Sequence, residues 1–373
     1  MPSLRTVFMG TTELSCASLR ALQALPEVEV VAAVTQPDRP SGRELKLHVS
    51  AVKQLALHER LPVLQPERAR DPAFLEQLRA LRPDLIVVVA YGQILPQTIL
   101  DLPRLGCLNV HASLLPKYRG AAPVQWAIIT GEKETGVTIM KMDAGMDTGD
   151  ILSQQPSLIH PEDTSETLHE RLARLGAELL SLTIPDFVAG KIQPRPQSVE
   201  GVSYAPKITR QDGRIDWKLP ALLIWNRVRG LQPWPGAFTH LPGQSQSVSE
   251  KSPPSPPSES ARPRPQQRPE KSSPSPPREE RDGERRPLSP THSPFPADFQ
   301  ARSQAHLLKI WHTRVAHVSG QPGEVLQADK TGLVVGCGRD ALEMLSVQRE
   351  GGRRLDAQQF LAGHPLKPGQ HLG

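Results

Sequence analysis

Asp84-Leu85-Ile86-Val87-Val88-Val89-Ala90 is an unbroken apolar, mostly β-branched run closed by Tyr91-Gly92. A run of this kind reads as a strand buried on both faces, the signature of a parallel sheet. Upstream, residues 6–9 and 28–35 carry shorter versions of the same pattern. Between the strands the apolar spacing turns helical over residues 14–25, 49–59 and 71–81. Downstream, residues 107–111 read as a further parallel strand, and residues 136–142 also read as a strand. A long helix is predicted over residues 163–190, with Asp163 as N-cap and Glu166 three residues on as its capping-box partner. Pro185 is expected to kink or break that helix near its end. Alternating strands and helices imply right-handed crossovers, so residues 1–190 are predicted to form an α/β, Rossmann-like doubly wound sheet.

Past residue 191 the pattern changes. A polar linker, residues 191–209, contains Pro194, Pro196 and Pro206 and leads to a short helix over residues 219–229. Short strand-like pieces follow at 237–241, 307–318, 323–327, 333–336 and 342–347, separated by glycine-containing turns. These predict a small OB-like β-barrel domain over residues 210–373. Residues 243–303 interrupt it with Pro, Ser, Arg and Glu, as in Ser252-Pro253-Pro254-Ser255-Pro256-Pro257. Such a composition buries too little apolar surface to offset its ordering entropy, so the segment is expected to be disordered with local polyproline II character. It reads as a loop insertion within an antiparallel hairpin of residues 238–241 and 307–311, since loop length costs stability only logarithmically.

The 373 residues are 38% hydrophobic, and 39 prolines concentrate the polarity in that insertion. No apolar run approaches the roughly 18 residues of a membrane span, and the chain enters strand-like sequence too early for a signal peptide. Cys16, Cys107 and Cys337 lie far apart with no CxxC pair, which excludes a disulfide framework or closed zinc site and suits a reducing compartment. A net charge of +5 permits a polyanionic partner.

The stretch richest in chemistry is Gly106-Cys107-Leu108-Asn109-Val110-His111-Ala112-Ser113-Leu114-Leu115-Pro116-Lys117-Tyr118-Arg119-Gly120. Asn109 and His111, two apart on a strand, share a face at its carboxyl end, where open α/β sheets bind ligands. The loop must fold back at Pro116 and Gly120 before a helix with Pro123 in its first turn and Gly131 past its end. Asp143-Ala144-Gly145-Met146-Asp147-Thr148-Gly149-Asp150 misses the EF-hand spacing, so an acid set against His111 to fix its tautomer is the better use. With no HExxH or Cys/His cluster, no metal is expected. The turn Gly10-Thr11-Thr12 lacks the G-x-G-x-x-G cradle of a nicotinamide dehydrogenase.

Asn109, His111 and Asp147, within Ser113-Leu114-Leu115-Pro116, Arg119-Gly120 and Asp147-Thr148-Gly149-Asp150, resemble the catalytic trio of the folate-dependent formyltransferases. Three further features are similar to the branch of that family whose acceptor is methionyl-tRNA. They are Thr35-Gln36-Pro37-Asp38-Arg39-Pro40-Ser41-Gly42-Arg43, then Arg119-Gly120-Ala121-Ala122-Pro123-Val124-Gln125-Trp126, and a terminal set. The terminal set is Arg214-Ile215-Asp216-Trp217, Pro233-Trp234-Pro235-Gly236, Gly351-Gly352 and Phe360-Leu361-Ala362-Gly363. The resemblance spans nearly all the chain outside the insertion. Departures are Thr12, where the family usually has proline, Pro185, and the insertion itself.

The resemblance implies 10-formyl-tetrahydrofolate as cosubstrate, no metal, and initiator methionyl-tRNA as partner in translation initiation. It implies a monomer in the bacterial cytoplasm, away from membranes. Folate contact falls to Ser113, Leu114, Leu115 and Pro116, with Tyr91 and Gly92 lining the same crevice. Arg39, Arg43, Lys46 and Lys207 would meet tRNA phosphates. His111, held by Asp147, and the Asn109 amide would stabilise the oxyanion of formyl transfer. A sugar-amine formyltransferase or a formyl-folate hydrolase would keep the trio, but neither explains the Arg43 loop together with this terminal domain. An idle RNA-binding scaffold would not need the trio at all.

Overall fold

The computed structural model describes residues 3–41, 46–242 and 306–373. In chain order its strands begin with β1 (Leu4–Gly10), β2 (Val28–Val34), β3 (Arg39–Ser41), β4 (Lys46–His48), β5 (Val63–Leu64) and β6 (Leu85–Val89). They continue with β7 (Cys107–His111), β8 (Arg119–Gly120), β9 (Glu134–Lys141), β10 (Ile151–Leu158) and β11 (Tyr204–Ala205). One seven-stranded sheet runs β10-β9-β7-β6-β1-β2-β5. The five strands from β7 to β5 are parallel, while β9 is antiparallel to β7 and β10 to β9. The chain leaves β1 through β2 to β5 and returns on the other side as β6 and β7. The strand order therefore reverses between β1 and β6, where such sheets open a crevice at their carboxyl ends.

Alternation along β6 shows why the run must be wholly apolar. Leu85, Val87 and Val89 pack in one core with Leu19, Leu22, Leu172 and Leu180. Ile86 and Val88 point the other way, into a second core with Phe74, Leu78 and Ile99. Helices α1 (Glu13–Ala24), α2 (Ala51–His58), α5 (Pro123–Ile129) and α6 (Ser165–Val188) contribute to the first layer. Helices α3 (Pro72–Leu81) and α4 (Gln97–Leu100) cover the second. Each fully buried side chain contributes about 1.5–3 kcal/mol, so a polar residue on either face of β6 would be costly. At Gly10 a Cβ would lie 2.8 Å from both the Phe8 ring and Ser15 Cβ, so only glycine lets β1 turn this close to α1.

Two helix expectations need correction. The N-cap of α6 is Thr164, in a capping box with Thr167, and not Asp163 with Glu166. The Asp163 carboxylate is already taken by Arg171, at 2.5 and 2.9 Å, and by the His160 N–H. The helix also continues through Pro185 to Val188. Pro185 withholds one hydrogen bond from the helix without breaking it, and the helix ends three residues later. All three cysteines are buried free thiols. Burial pushes the Cys107 and Cys337 thiols up to about 12 and that of Cys16 to about 11. Among the described residues no helix is long and apolar enough to cross a membrane.

The second sheet comprises β12 (Ala237–His240), β13 (Leu307–Ala316), β14 (Val325–Asp329), β15 (Gly332–Gly336), β16 (Ala341–Arg349) and β17 (Arg354–Asp356). It runs β12-β13-β16-β15-β14 with β17 on β16, antiparallel throughout. Helix α7 (Ala221–Gly230) supplies Ile224 and Val228 to its core, with Trp217, Ile310, Val335, Leu342 and Phe360. The C-terminal residues join the two outer strands. His240 and Gly373 exchange two N–H···O bonds of 3.1 Å, and the Val325 N–H donates to the Gln370 carbonyl at 2.7 Å.

The expected hairpin is present: Ala237 pairs Ile310 and His240 pairs Leu307, with the Leu241 N–H on the His306 carbonyl at 2.9 Å. The inserted segment expected to be disordered, residues 243–303, lies outside the described residues. Because its two ends already meet, replacing residues 244–303 by a short glycine-containing turn is expected to leave this sheet folded. Shortening the loop roughly tenfold stabilises the hairpin by about 2 kcal/mol at most. Melting temperatures of the excised and full-length chains check this, and unfolding on excision would refute it.

Candidate active site

Strand β7 ends in two polar side chains on one face. Asn109 is half-buried beside β6 and His111 is buried, opposite Thr138 of β9. Asp147 reaches them from the loop after β9. Its Oδ1 accepts from Asn109 Nδ2 at 3.4 Å, and its Oδ2 lies 3.7 Å from His111 Nδ1. Oδ2 also accepts the Gly120 N–H at 2.7 Å. Gly120 has φ +121°, and a Cβ there would sit 2.8 Å from the Ala205 carbonyl, so glycine is required where that N–H turns toward Asp147.

His111 Nε2 is 3.0 Å from the Tyr118 carbonyl, which can only accept, so Nε2 carries a proton and donates it there. Nδ1 is left facing the carboxylate as the ring atom able to take up or give back a proton. The Tyr118 carbonyl is itself held firmly. The Tyr118 N–H donates to Ser203 Oγ at 2.9 Å, and its hydroxyl bonds Thr130 Oγ1 and Glu132 Oε1. Burial, aided by the Glu132 carboxylate, pushes that hydroxyl up to about 12, although the Thr130 bond opposes the shift.

The Ser113–Pro116 stretch turns two side chains inward. Ser113 Oγ donates to the Lys117 carbonyl at 2.6 Å, and Leu115 packs with Met140 and Ile151. Thr138 Oγ1 pins the turn, donating to the Ser113 carbonyl and accepting the Leu115 N–H. The Ser113 and Leu115 side chains are thus engaged within the protein itself. The half-buried Leu114 and Pro116 line a cavity of about 590 Å³ with Lys117, Tyr118 and Glu132, and no member of the trio borders it. A cavity of about 660 Å³ at the amino end of β6, beside Arg79, Asp84 and Arg104, is likewise remote from the trio.

Tyr91 follows Ala90 just past the carboxyl end of β6. Its ring is buried in the second core, and burial pushes its unpartnered hydroxyl up to about 12. The left-handed turn at Ala90, φ +46°, sends the ring inward. What Tyr91 presents at the crevice is its carbonyl, which accepts from Thr11 Oγ1 at 2.9 Å and Gln36 Nε2 at 3.2 Å. Gly92 is exposed with φ +87°, and Ile94 beyond it is 90% exposed. Arg39 lies in a ribbon formed by β3 and β4, exposed and 3.7 Å from Glu67. Lys46 is in β4 of that ribbon, while Arg43 lies outside the described residues. Lys207 is exposed just after β11.

Sequence reasoning missed the bracing from residues 195–205. Gln197 Nε2 donates to the carbonyls of Asp147 and Gly149, both at 2.8 Å, and its Oε1 accepts from Arg119. Strand β11 pairs in parallel with β8, and Ile151 bridges Arg195. Pro194 and Pro196, which keep a chain extended, were the one signal that this segment could pair.

A family model described as Formyl transferase matches residues 4–184, and one described as Formyl transferase, C-terminal domain matches residues 207–265 and 291–365. The methionyl-tRNA formyltransferase of Geobacter sulfurreducens is 41% identical over 373 residues, covering 100% of this chain and 98% of its own length. That of Pelobacter propionicus is 43% identical, covering 100% of this chain and 97% of its own. Among solved structures, an N-formyltransferase from Helicobacter canadensis, in complex with folinic acid and dTDP-3-aminofucose, has a TM-score of 0.56. It is 15% identical, with 92% of this chain and 99% of that chain covered, a likeness of fold alone.

Proposed function

Since this chain belongs to the formyl transferase family, among its methionyl-tRNA formyltransferases, we propose that it formylates the α-amine of initiator methionyl-tRNA from 10-formyl-tetrahydrofolate. The convergence of Asn109, His111 and Asp147 at the carboxyl end of β7 supports formyl transfer, and the 41% identity over the whole chain to a methionyl-tRNA formyltransferase supports this acceptor over an amino sugar. Residues 1–190 are assigned the chemistry, 191–209 the link, and 210–373 the tRNA, with the enzyme acting as a monomer in the bacterial cytoplasm.

In this mechanism the amine nitrogen bonds to the formyl carbon, and the carbonyl oxygen takes the electron pair. Asn109 Nδ2 has two N–H groups, one directed to Asp147, which leaves the other for that oxyanion. His111 Nδ1 accepts the proton the amine sheds, while Asp147 Oδ2 stabilises the resulting imidazolium. The proton then goes to the departing folate nitrogen as its bond to carbon breaks. The cosubstrate supplies an activated one-carbon group at the formic acid oxidation level. Exposed Gly92 and Ile94, at the carboxyl end of β6 next to the strand of Asn109, fit an aromatic ligand body in the switch-point crevice.

The test offers 10-formyl-tetrahydrofolate with methionyl-tRNA, with an amino-sugar nucleotide, or with water, and follows the formyl group. Formyl on methionyl-tRNA is the expected result. Transfer to the sugar, or release as formate, would overturn the reading. Arg39, Arg43, Lys46 and Lys207 are assigned to tRNA phosphates. Arg43→Ala and Lys207→Ala are expected to raise KM for methionyl-tRNA, spare KM for the folate, and each lower the salt slope by about 1. A folate effect with unchanged tRNA kinetics would reassign these residues.

A further inference from the structure

Asp147 has φ +52°, a left-handed conformation that a non-glycine residue holds at a cost of about 1–3 kcal/mol and only when its surroundings dictate it. Three contacts do so. Its carboxylate takes the Gly120 N–H, its carbonyl takes one N–H of Gln197, and the other N–H of Gln197 goes to Gly149 two residues on. The Gln197 amide has only this consistent orientation. Both donor hydrogens meet carbonyls, and its oxygen meets Arg119 Nε and Nη2 at 3.0 and 2.7 Å. Arg119 adjoins Gly120, so one half-buried side chain ties together the two loops that converge on the Asp147 carboxylate.

We infer that Gln197 is a positioning residue for formyl transfer, holding Asp147 where its two oxygens face Asn109 and His111. The inference rests on the proposed role of Asp147 in catalysis. Both ends of the Gln197 amide are engaged, with the Asp147 and Gly149 carbonyls and with Arg119, so it acts on the reaction through Asp147. Its loss frees the Asp147 backbone to leave the left-handed region and draws the carboxylate off Nδ1. A displacement of about 1 Å at such a group can cost about 10²-fold in rate.

Gln197→Ala is expected to lower kcat about 10- to 100-fold, with KM for either substrate changed less than about threefold. The decisive measurement repeats Gln197→Ala in an Asp147→Ala background by single-turnover formylation. A residue that acts through Asp147 has nothing left to position there, so the second loss should be less than about twofold. If Gln197→Ala lowers the melting temperature, Gln197→Glu keeps the acceptor for Arg119 while deleting the N–H donors, and the same comparison applies. Normal kcat in Gln197→Ala, or an undiminished loss in the Asp147→Ala background, overturns the inference. Near-normal turnover of Asp147→Ala alone overturns instead the catalytic assignment on which it rests.

Discussion

Replacing Asn109, His111 or Asp147 by alanine lowers turnover by about two or more orders of magnitude, the usual result of removing an oxyanion donor or a proton-transfer group. For a single donor that is about 2.7–4 kcal/mol of barrier. The three losses should not add, because Asp147 orients both Asn109 and His111 and each is useless without the others. Of the three, His111→Ala should be the most severe, since Nδ1 is the ring atom left to carry the proton. Folding survives, because the trio lines the crevice end of the sheet and β7 keeps its buried Cys107 and Leu108. Steady-state kinetics with 10-formyl-tetrahydrofolate and methionyl-tRNA, alongside far-UV circular dichroism, check this. Near-normal turnover of a folded His111→Ala enzyme would end the mechanism.

Asp163→Ala is expected to destabilise the protein by less than the about 3–5 kcal/mol of a fully buried ion pair, because the Arg171 left behind keeps contact with solvent. The Asp163 carboxyl is buried and accepts from Arg171, the His160 N–H and Thr167 Oγ1. Its carbonyl accepts from Arg229 of α7, and nearby Ser165 bonds the Gln232 carbonyl, so this turn also joins α6 to the second sheet. Burial on its own would raise the carboxyl pKa. The Arg171 hydrogen bonds, the His160 N–H and the Arg171 charge outweigh it and hold the carboxyl below the ordinary range. A depressed folded pKa adds stability that is complete above the unfolded value near 3.9 and is lost as pH falls through the folded one. The melting temperature of the wild type should therefore drop on acidification below about pH 4, and Asp163→Asn should flatten that slope. A slope unchanged in Asp163→Asn would show that other carboxylates carry it.

What was legible in the sequence follows burial. Leu85–Val89 has core on both faces, so its apolar run could mean little else, and Asn109 and His111 betrayed themselves as polar interruptions at the end of β7. Strand β10 was not anticipated, because an edge strand containing Gln154, Gln155 and Pro156 keeps no apolar pattern. The β3–β4 ribbon has strands of three residues each, too short to show alternation. The Asp163 cap failed because a distant residue, Arg171, competes for the same carboxylate. The inward turn of the Tyr91 ring was not legible, because it follows a left-handed Ala90 and residue type alone does not fix that. Gln197 had no pattern to find: its importance comes from the backbone carbonyls it meets, which belong to a loop fifty residues upstream.

The C-terminal residues carry a consequence for solubility. A sheet whose outer strands keep free N–H and C=O groups is a template on which other chains can grow, the route to edge-to-edge aggregation. Here the same short piece of chain bonds one residue of each outer strand of the second sheet, His240 of β12 and Val325 of β14. Gly373 occupies the edge of β12 at His240, while Gln370 bonds Val325 at the start of β14 and Leu372 bonds Gly323 two residues before it. Substitutions that break the bonds of residues 369–373 to His240 and Val325 would expose both strands at once, and the lost protection would appear as self-association.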